Sequence, residues 1–396
     1  QAEALEGLVR DYLELQRGER EDRALAAVLL NLGRLRGELG NYNQAIELFG
    51  QSLDIAQRIE DKKIEGKAFG HLGEAYLLLA DYQNAIHFFE KSLTIQRDIA
   101  GKVGESRALA GLSNVYLFLG DYQKANQLSE QALAIQLDIG DVVGAGQSLN
   151  NLGNICFKLG FYRGAIQFHE HALEIQHDLG DLIGESRTNL SLSIAYSCMG
   201  DYGKAIQLIE QALTIQRKMG DRIGESSSLG NLGNIYFNMS EYHKAAEFFK
   251  NALSIQRDIG DRNGESGSLG NLGNISFILG DYREAIQCYE KALSIQRDIG
   301  DQNGEAGSLL SLGNYYSELG DYDKAIQLYK QSVSIQLRIG DQLAVAIGLY
   351  NIGLALHNVG KQEHAVEFAI KALKIFDEIE SPNAEKVRQK LSEWQS

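Results

Sequence analysis

The side chains able to do chemistry recur at intervals of 40 residues. Asparagine stands at Asn114, Asn154, Asn234, Asn274 and Asn314. An amide donates to a carbonyl and accepts from an N–H at once, so a row of amides suits an extended peptide backbone and asks little of its sequence. Three residues further on, Phe157, Phe237 and Phe277 offer apolar contact to side chains. Four residues before two of the asparagines stand Gly230 and Gly270. With Gly267 they omit a side chain, so that a second backbone can approach closely. A basic series occupies only the first half: Arg34, Lys67, Arg107 and Arg187. The position of the last three becomes Ser227, Gly267 and Gly307 later on. In a chain of net charge -15, such a gathering of cations stands out.

Other candidate chemistry is weaker. His169 and His171 are two residues apart, which puts them on different faces of a helix, and His169 takes the place that Phe249 holds in its counterpart. The pair does not read as a metal site. Cys156, Cys198 and Cys288 lack metal-ligand spacing, and Cys156 and Cys198 read as small packed residues. The stretch Gly267–Gly273 lacks the Lys-Ser/Thr ending of a phosphate loop. No nucleophile–base pair or carboxylate dyad stands outside the repeat, and the recurring aspartates read as helix caps. The chain is therefore expected to be neither an enzyme nor a cofactor binder.

The elements that position these residues follow from the same ruler. Cut every 40 residues from Glu21, the chain gives nine repeats without insertion or deletion, ending at Glu380: 21–60, 61–100, 101–140, 141–180, 181–220, 221–260, 261–300, 301–340 and 341–380. In 261–300, Leu269, Leu272, Ile275, Ile278 and Leu279 keep a helical period. Gly280 then takes a left-handed turn and Asp281 caps a second helix. That helix carries Ala285, Ile286, Tyr289, Ala292, Leu293 and Ile295, closed by Gly300 and followed by Asp301. Each repeat is thus an all-α hairpin, antiparallel because its linker is so short. The position of Ala285 is Ala in all nine repeats, and that of Gly273 is Gly in seven, with Ser113 and Ser193 in the others. Both read as points of close helix contact. A single proline, Pro382, leaves long helices free to form.

The order Leu232-Gly233, Tyr236, Ala245, Phe249 and Ala252 resembles the tetratricopeptide repeat (TPR). The usual TPR unit has 34 residues and a proline near its end; here Arg257 stands at that place. The 40-residue spacing and the phrase GDRxGE…NLGN resemble the subgroup of Pins/LGN adaptors and bacterial multidomain TPR arrays. The resemblance covers 21–380 and implies a right-handed superhelical solenoid of antiparallel helical hairpins, with the first helix of each hairpin lining a concave groove. It implies a non-catalytic scaffold that binds a peptide segment of a partner there. In the Pins/LGN group an arginine at the position of Arg107 and Arg187 helps hold acidic peptides, which implies a ligand with an acidic segment.

Simpler readings remain beside these. The asparagines would tie neighbouring helices together, the phenylalanines would pack between hairpins, and the basic series would pair with Glu65, Glu105 and Glu185, two residues before its members. An alternative function is a regulatory or sensor module that docks on an effector domain of its own longer protein. The charge argues against nucleic acid and anionic membrane surfaces as partners, and no stretch approaches 18 consecutive apolar residues. The scattered cysteines fit a reduced, cytoplasmic chain. Residues 1–20 read as the second helix of an incomplete repeat, which favours excision from something larger, and 381–396 as a C-terminal capping helix. Asn189 at a core leucine position and Ser193 at the glycine position predict a weak point near 181–220.

Overall fold

The computed structural model describes residues 18–395. Helices follow one another with two- to four-residue connections, and no strand occurs among the described residues. The chain divides into two compact units, one ending at Ala212 and the other beginning at Leu213.

The first unit contains α1 (Glu19–Glu38), α2 (Tyr42–Arg58), α3 (Lys62–Leu78), α4 (Tyr82–Asp98), α5 (Lys102–Leu119), α6 (Tyr122–Ile139), α7 (Val142–Lys158), α8 (Tyr162–Leu179) and α9 (Leu182–Cys198). The division between units falls inside α10 (Tyr202–Met219). The second unit continues with α11 (Arg222–Asn238), α12 (Tyr242–Ile259), α13 (Arg262–Ile278), α14 (Tyr282–Ile299), α15 (Gln302–Glu318), α16 (Tyr322–Ile339), α17 (Gln342–Asn358), α18 (Gln362–Glu378) and α19 (Asn383–Gln395). The helix expected over 1–17 lies outside the described residues.

Local chemistry sets the helix ends. Asp261 accepts the backbone N–H of Gly264 at 2.9 Å and Asp281 that of Glu284 at 3.1 Å, each satisfying a donor that the helix cannot use. Gly280 and Gly300 leave the preceding helices at φ +84° and +72°. Side chains rarely tolerate that conformation, yet Ser240 adopts it at the same place in its repeat, at φ 61°.

The conserved small residues do what their size predicts, with one refinement. The nine alanines in the series of Ala285 have no exposed surface at all. Gly273 faces an aromatic ring rather than an alanine: a Cβ there would overlap the ring of Tyr289. The same holds for Gly33, Gly73, Gly233 and Gly313 against Phe49, Phe89, Phe249 and Tyr329, and for Gly153 against His169. Where the third repeat has Ser113 in place of glycine, the ring position holds Ser129, and the two hydroxyls hydrogen-bond at 2.7 Å. In that repeat small residue and ring are exchanged together, whereas Gly353 is kept where Ala369 replaces the ring.

At the chain's end, Ala384, Val387, Leu391 and Trp394 of α19 join a core with Phe376 of α18. Ser381 precedes this helix and its hydroxyl accepts from Asn383 N at 3.3 Å.

Candidate functional site

The first helix of each hairpin turns one stripe inward and leaves another open. On α13, Leu269, Leu272 and Ile275 are buried, while Gly267 and Asn274 are exposed and Gly270 and Phe277 lie between. On α11 the stripe is Ser227, Gly230, Asn234 and Phe237, and on α15 it includes Gly307 and Asn314. A Cβ built on Gly230, Gly267, Gly270 or Gly307 meets nothing within 4 Å. Packing within the fold therefore does not require glycine at these four places, in contrast to Gly273.

The asparagines divide by repeat. Asn234 is exposed and its amide makes no hydrogen bond among the described residues. Asn274 Oδ1 accepts from the hydroxyls of Tyr289 at 2.7 Å and Tyr315 at 3.1 Å. Asn314 Oδ1 accepts from Tyr329 at 2.9 Å and from the Asn351 amide at 3.2 Å. The Tyr289 ring reaches over α13 because Gly273 leaves room for it. Burial pushes the Tyr315 phenol above its ordinary range and the Tyr329 phenol up to about 12, so both remain donors. With their carbonyls engaged, Asn274 and Asn314 offer outward N–H donors only. In the first unit Asn114 and Asn154 are half-buried.

The phenylalanines are also half-buried. Phe157, Phe237 and Phe277 lie 5.4, 5.5 and 5.3 Å, centroid to centroid, from Tyr162, Tyr242 and Tyr282 at the start of the next helix. Phe277 further stacks on Tyr315 at 4.4 Å. Part of each ring thus packs inside its own unit, and part faces the open stripe.

The basic series lies wholly in the first unit. Lys67, Arg107 and Arg187 are exposed and make no salt bridge with the glutamates two residues before them. Those glutamates are taken: Glu65 by Lys62 at 2.7 Å, Glu105 by Arg97 at 2.9 Å and Lys102 at 3.1 Å, and Glu185 by His177 at 2.8 Å. Pairing of the basic series with these glutamates is thereby overturned. Its cause is helix geometry, since side chains two apart on one helix do not face each other. Arg34 approaches Glu38 at 3.8 Å, with both side chains well exposed.

Those glutamates belong to a joint between repeats that spacing within one repeat does not reveal. In the second unit Glu225 is clamped by Arg217 at 2.9 Å and Arg222 at 2.6 Å, and Glu265 by Arg257 and Arg262, both at 2.8 Å. The hydrogen bond from Arg217, with Arg222 beside it, holds the Glu225 carboxyl below the usual range. Beside each clamp lies a buried glutamine. Gln216, Gln256 and Gln296 accept from Ser228, Ser268 and Ser308 at 2.7, 2.8 and 2.7 Å. The motif GDRxGE is the sequence trace of this joint. A Cβ on Gly264 would overlap the Asp261 cap and the Gln256 amide.

His169 is 1% exposed and bonded through Nδ1 to Asn150 Oδ1 at 3.0 Å, so it is a core residue. Cys198 is exposed rather than packed; Cys156 and Cys288 are half-buried, and burial pushes all three thiols up. No helix among the described residues is long and apolar enough to cross a membrane.

Family profiles described as tetratricopeptide repeat match residues 25–61, 64–138, 144–218, 224–298, 265–338 and 304–378. No curated protein matches the sequence. Similar solved structures include a Signal Transduction ATPase with Numerous Domains from Pyrococcus horikoshii that carries a tetratricopeptide repeat sensor. Its TM-score is 0.71 at 17% identity, over 97% of this chain and 56% of that one. The apo quorum sensor NprR from B. thuringiensis aligns with a TM-score of 0.63 at 13% identity, over 87% of this chain and 99% of that one. A Rap protein complexed with Competence and Sporulation Factor aligns at 0.53 and 16% identity, over 85% of this chain and 98% of that one. At such identities the likeness is one of fold.

Proposed function

The chain belongs to the tetratricopeptide-repeat family, and on that premise we propose that it is a non-catalytic scaffold binding a peptide segment of a partner protein on the open stripes of its first helices. One observation carries the reading. Gly230, Gly267 and Gly270 stand in helix interiors with nothing within 4 Å of a built Cβ. Each costs its helix about 1 kcal/mol relative to alanine, and no contact inside the fold offsets that cost. A ligand backbone lying on the stripe would. On the second unit, Asn234, Asn274 and Asn314 would bond that backbone, and Phe237 and Phe277 would receive its apolar side chains. On the first unit, Lys67, Arg107 and Arg187 would draw acidic residues of a ligand, with Asn114, Asn154 and Phe157 alongside and Arg34 in the first repeat. The Rap structure supports this by showing that the fold accommodates a bound factor.

A second reading, a sensor module acting on an effector domain of a longer protein, draws support from the multidomain ATPase, over 56% of whose chain this fold extends. It would use the same stripes.

The test replaces Gly230, Gly267 and Gly270 together by alanine. Peptides are first selected from a random display library with the native chain. The variant should melt higher, because helix propensity improves, and should bind the selected peptides at least tenfold more weakly. Equal binding by the stabilised variant would place the peptide elsewhere and remove this reading.

A further inference from the structure

The joint between the second and third repeats departs from its counterparts in three ways, and all three face one cavity. The first is a missing cap. Asp61, Asp141, Asp181, Asp221, Asp261, Asp301 and Asp341 open their repeats, but the third opens on Gly101, and no side chain caps the N-terminus of α5. The second is a missing serine. Gln96 is the counterpart of Gln216, Gln256 and Gln296, but Ala108 stands where each of those finds its serine. Gln96 is 5% exposed; its amide makes no hydrogen bond among the described residues and is not sealed from solvent. The third is unpaired charge: among the described residues Lys63, Lys67 and Arg107 form no salt bridge.

Gln96, Lys63, Lys67, Gly101 and Arg107 all line a cavity of ≈ 560 Å³ in the first unit, where Phe89, Ile99 and Val103 add apolar wall. Elsewhere the capping aspartate lies where a Cβ on the fourth residue of the repeat would sit. Here, at Gly104, the Gln96 carbonyl occupies that place. The Gln96 Nε2 is thereby turned to the cavity side, 2.6 Å from where a Cβ on Gly66 would stand. Gln176 and Gln336 have buried unpartnered oxygens, but at those joints Asp181 and Asp341 still cap their helices. Two anionic groups belong to the lining or its edge, and both are engaged: Glu74 with His71 at 3.0 Å, and Glu105 with Arg97 and Lys102.

We propose that this cavity binds a phosphate monoester with an apolar or aromatic body. The phosphoryl group would meet the free N–H groups at the start of α5, the Gln96 amide and the cations Lys63, Lys67 and Arg107. The body would lie against Phe89, Ile99 and Val103. A helix N-terminus favours a dianion, and the departures that create the site remove the capping carboxylate that would stand against it. The proposal goes beyond peptide binding on the stripes, though Lys67 and Arg107 border both.

The test is calorimetric titration of the full chain with phenyl phosphate, inorganic phosphate and benzoate. Phenyl phosphate should bind at least tenfold tighter than either of the others, since each lacks one half of the recognised group. Gly101→Asp restores the cap of the other repeats; it should raise the melting temperature and weaken phenyl phosphate at least tenfold. Ala108→Ser gives Gln96 its partner and should weaken binding severalfold. A phosphotyrosyl peptide separates the sources: tighter binding than phenyl phosphate assigns the site to a phosphorylated side chain, weaker binding to a free ester. Undetectable binding of phenyl phosphate, or affinity unchanged in a well-folded Gly101→Asp protein, overturns the proposal.

Discussion

His169 should make the first unit sensitive to mild acid. It occupies the ring position that Phe49, Phe89 and Phe249 fill in other repeats, and burial lowers its pKa from 6.5 to about 4. Asn150 Oδ1 already accepts from Thr188 Oγ1 at 3.1 Å, so the neutral imidazole donates from Nδ1 to the same oxygen. Between these two pKa values the unfolded chain takes up a proton that the folded ring refuses. Stability is therefore complete above pH 6.5, falls as the pH drops towards 4, and is flat below. At roughly 1.4 kcal/mol per pH unit the full loss is about 3 kcal/mol, and about 2 kcal/mol of it is reached by pH 5. The comparison protein is His169→Phe, whose ring fits above Gly153 as Phe249 fits above Gly233. Urea unfolding of both proteins, followed by circular dichroism at a series of pH values from about 7.5 to 5, gives the difference. The native chain should lose about 2 kcal/mol more than the variant over that range. Parallel curves, within about 0.5 kcal/mol, would mean that the ring is not held neutral in the core and would refute the reasoning.

Three further outcomes are expected. Asn189 is 4% exposed and its Oδ1 has no partner, where most repeats carry leucine, so Asn189→Leu should stabilise the protein by about 1–3 kcal/mol in urea unfolding. In hydrogen exchange, amides of 181–220 should become better protected in that variant, having been less protected than those of 261–300 in the native chain. Gly273→Ser alone should destabilise, because its Cβ overlaps Tyr289, while adding Tyr289→Ser should recover part of the loss by recreating the Ser113–Ser129 pair; a thermal-melt double-mutant cycle reads the coupling. Arg257→Leu with Arg262→Val strands the Glu265 carboxylate, 7% exposed, and should cost about 3 kcal/mol or more, whereas adding Glu265→Ala should bring denaturant stability back near native.

How much of this was legible depends on the distance over which each signal acts. Helix ends were readable because caps are local: Asp281 reaches a backbone N–H three residues on, and Gly280 turns the chain by its own conformation. The burial of Ala285 and Gly273 was readable from size alone, but not the ring that covers Gly273, which comes from 16 residues away on the partner helix. The open stripe could be placed by helical period. The use of the Asn274 carbonyl could not, because Tyr289 and Tyr315 approach it from 15 and 41 residues away. The glutamates were visible, but their partners were sought on the same helix when they lie across the joint, eight residues back.

That joint was nevertheless written in the sequence, because nine repeats of one length form an alignment of the chain with itself. The clamp glutamate is absent at two joints, where Ala145 and Val345 stand, and at those joints the cation eight residues earlier has become Leu137 or Leu337. At the first of them the helix-start cation has also become Val142. Where glutamate remains, at least one donor remains: Lys62 for Glu65, His177 for Glu185, Arg297 for Glu305. Removing a buried carboxylate together with its partners costs little, and removing the partners alone costs much, so where the glutamate is lost the cation eight residues before it is lost with it. A physical coupling across eight residues thus leaves its mark on a single sequence. By the same logic Gly101 and Ala108 mark the one joint where cap and serine have gone together while the buried glutamine stays, its amide facing a cavity.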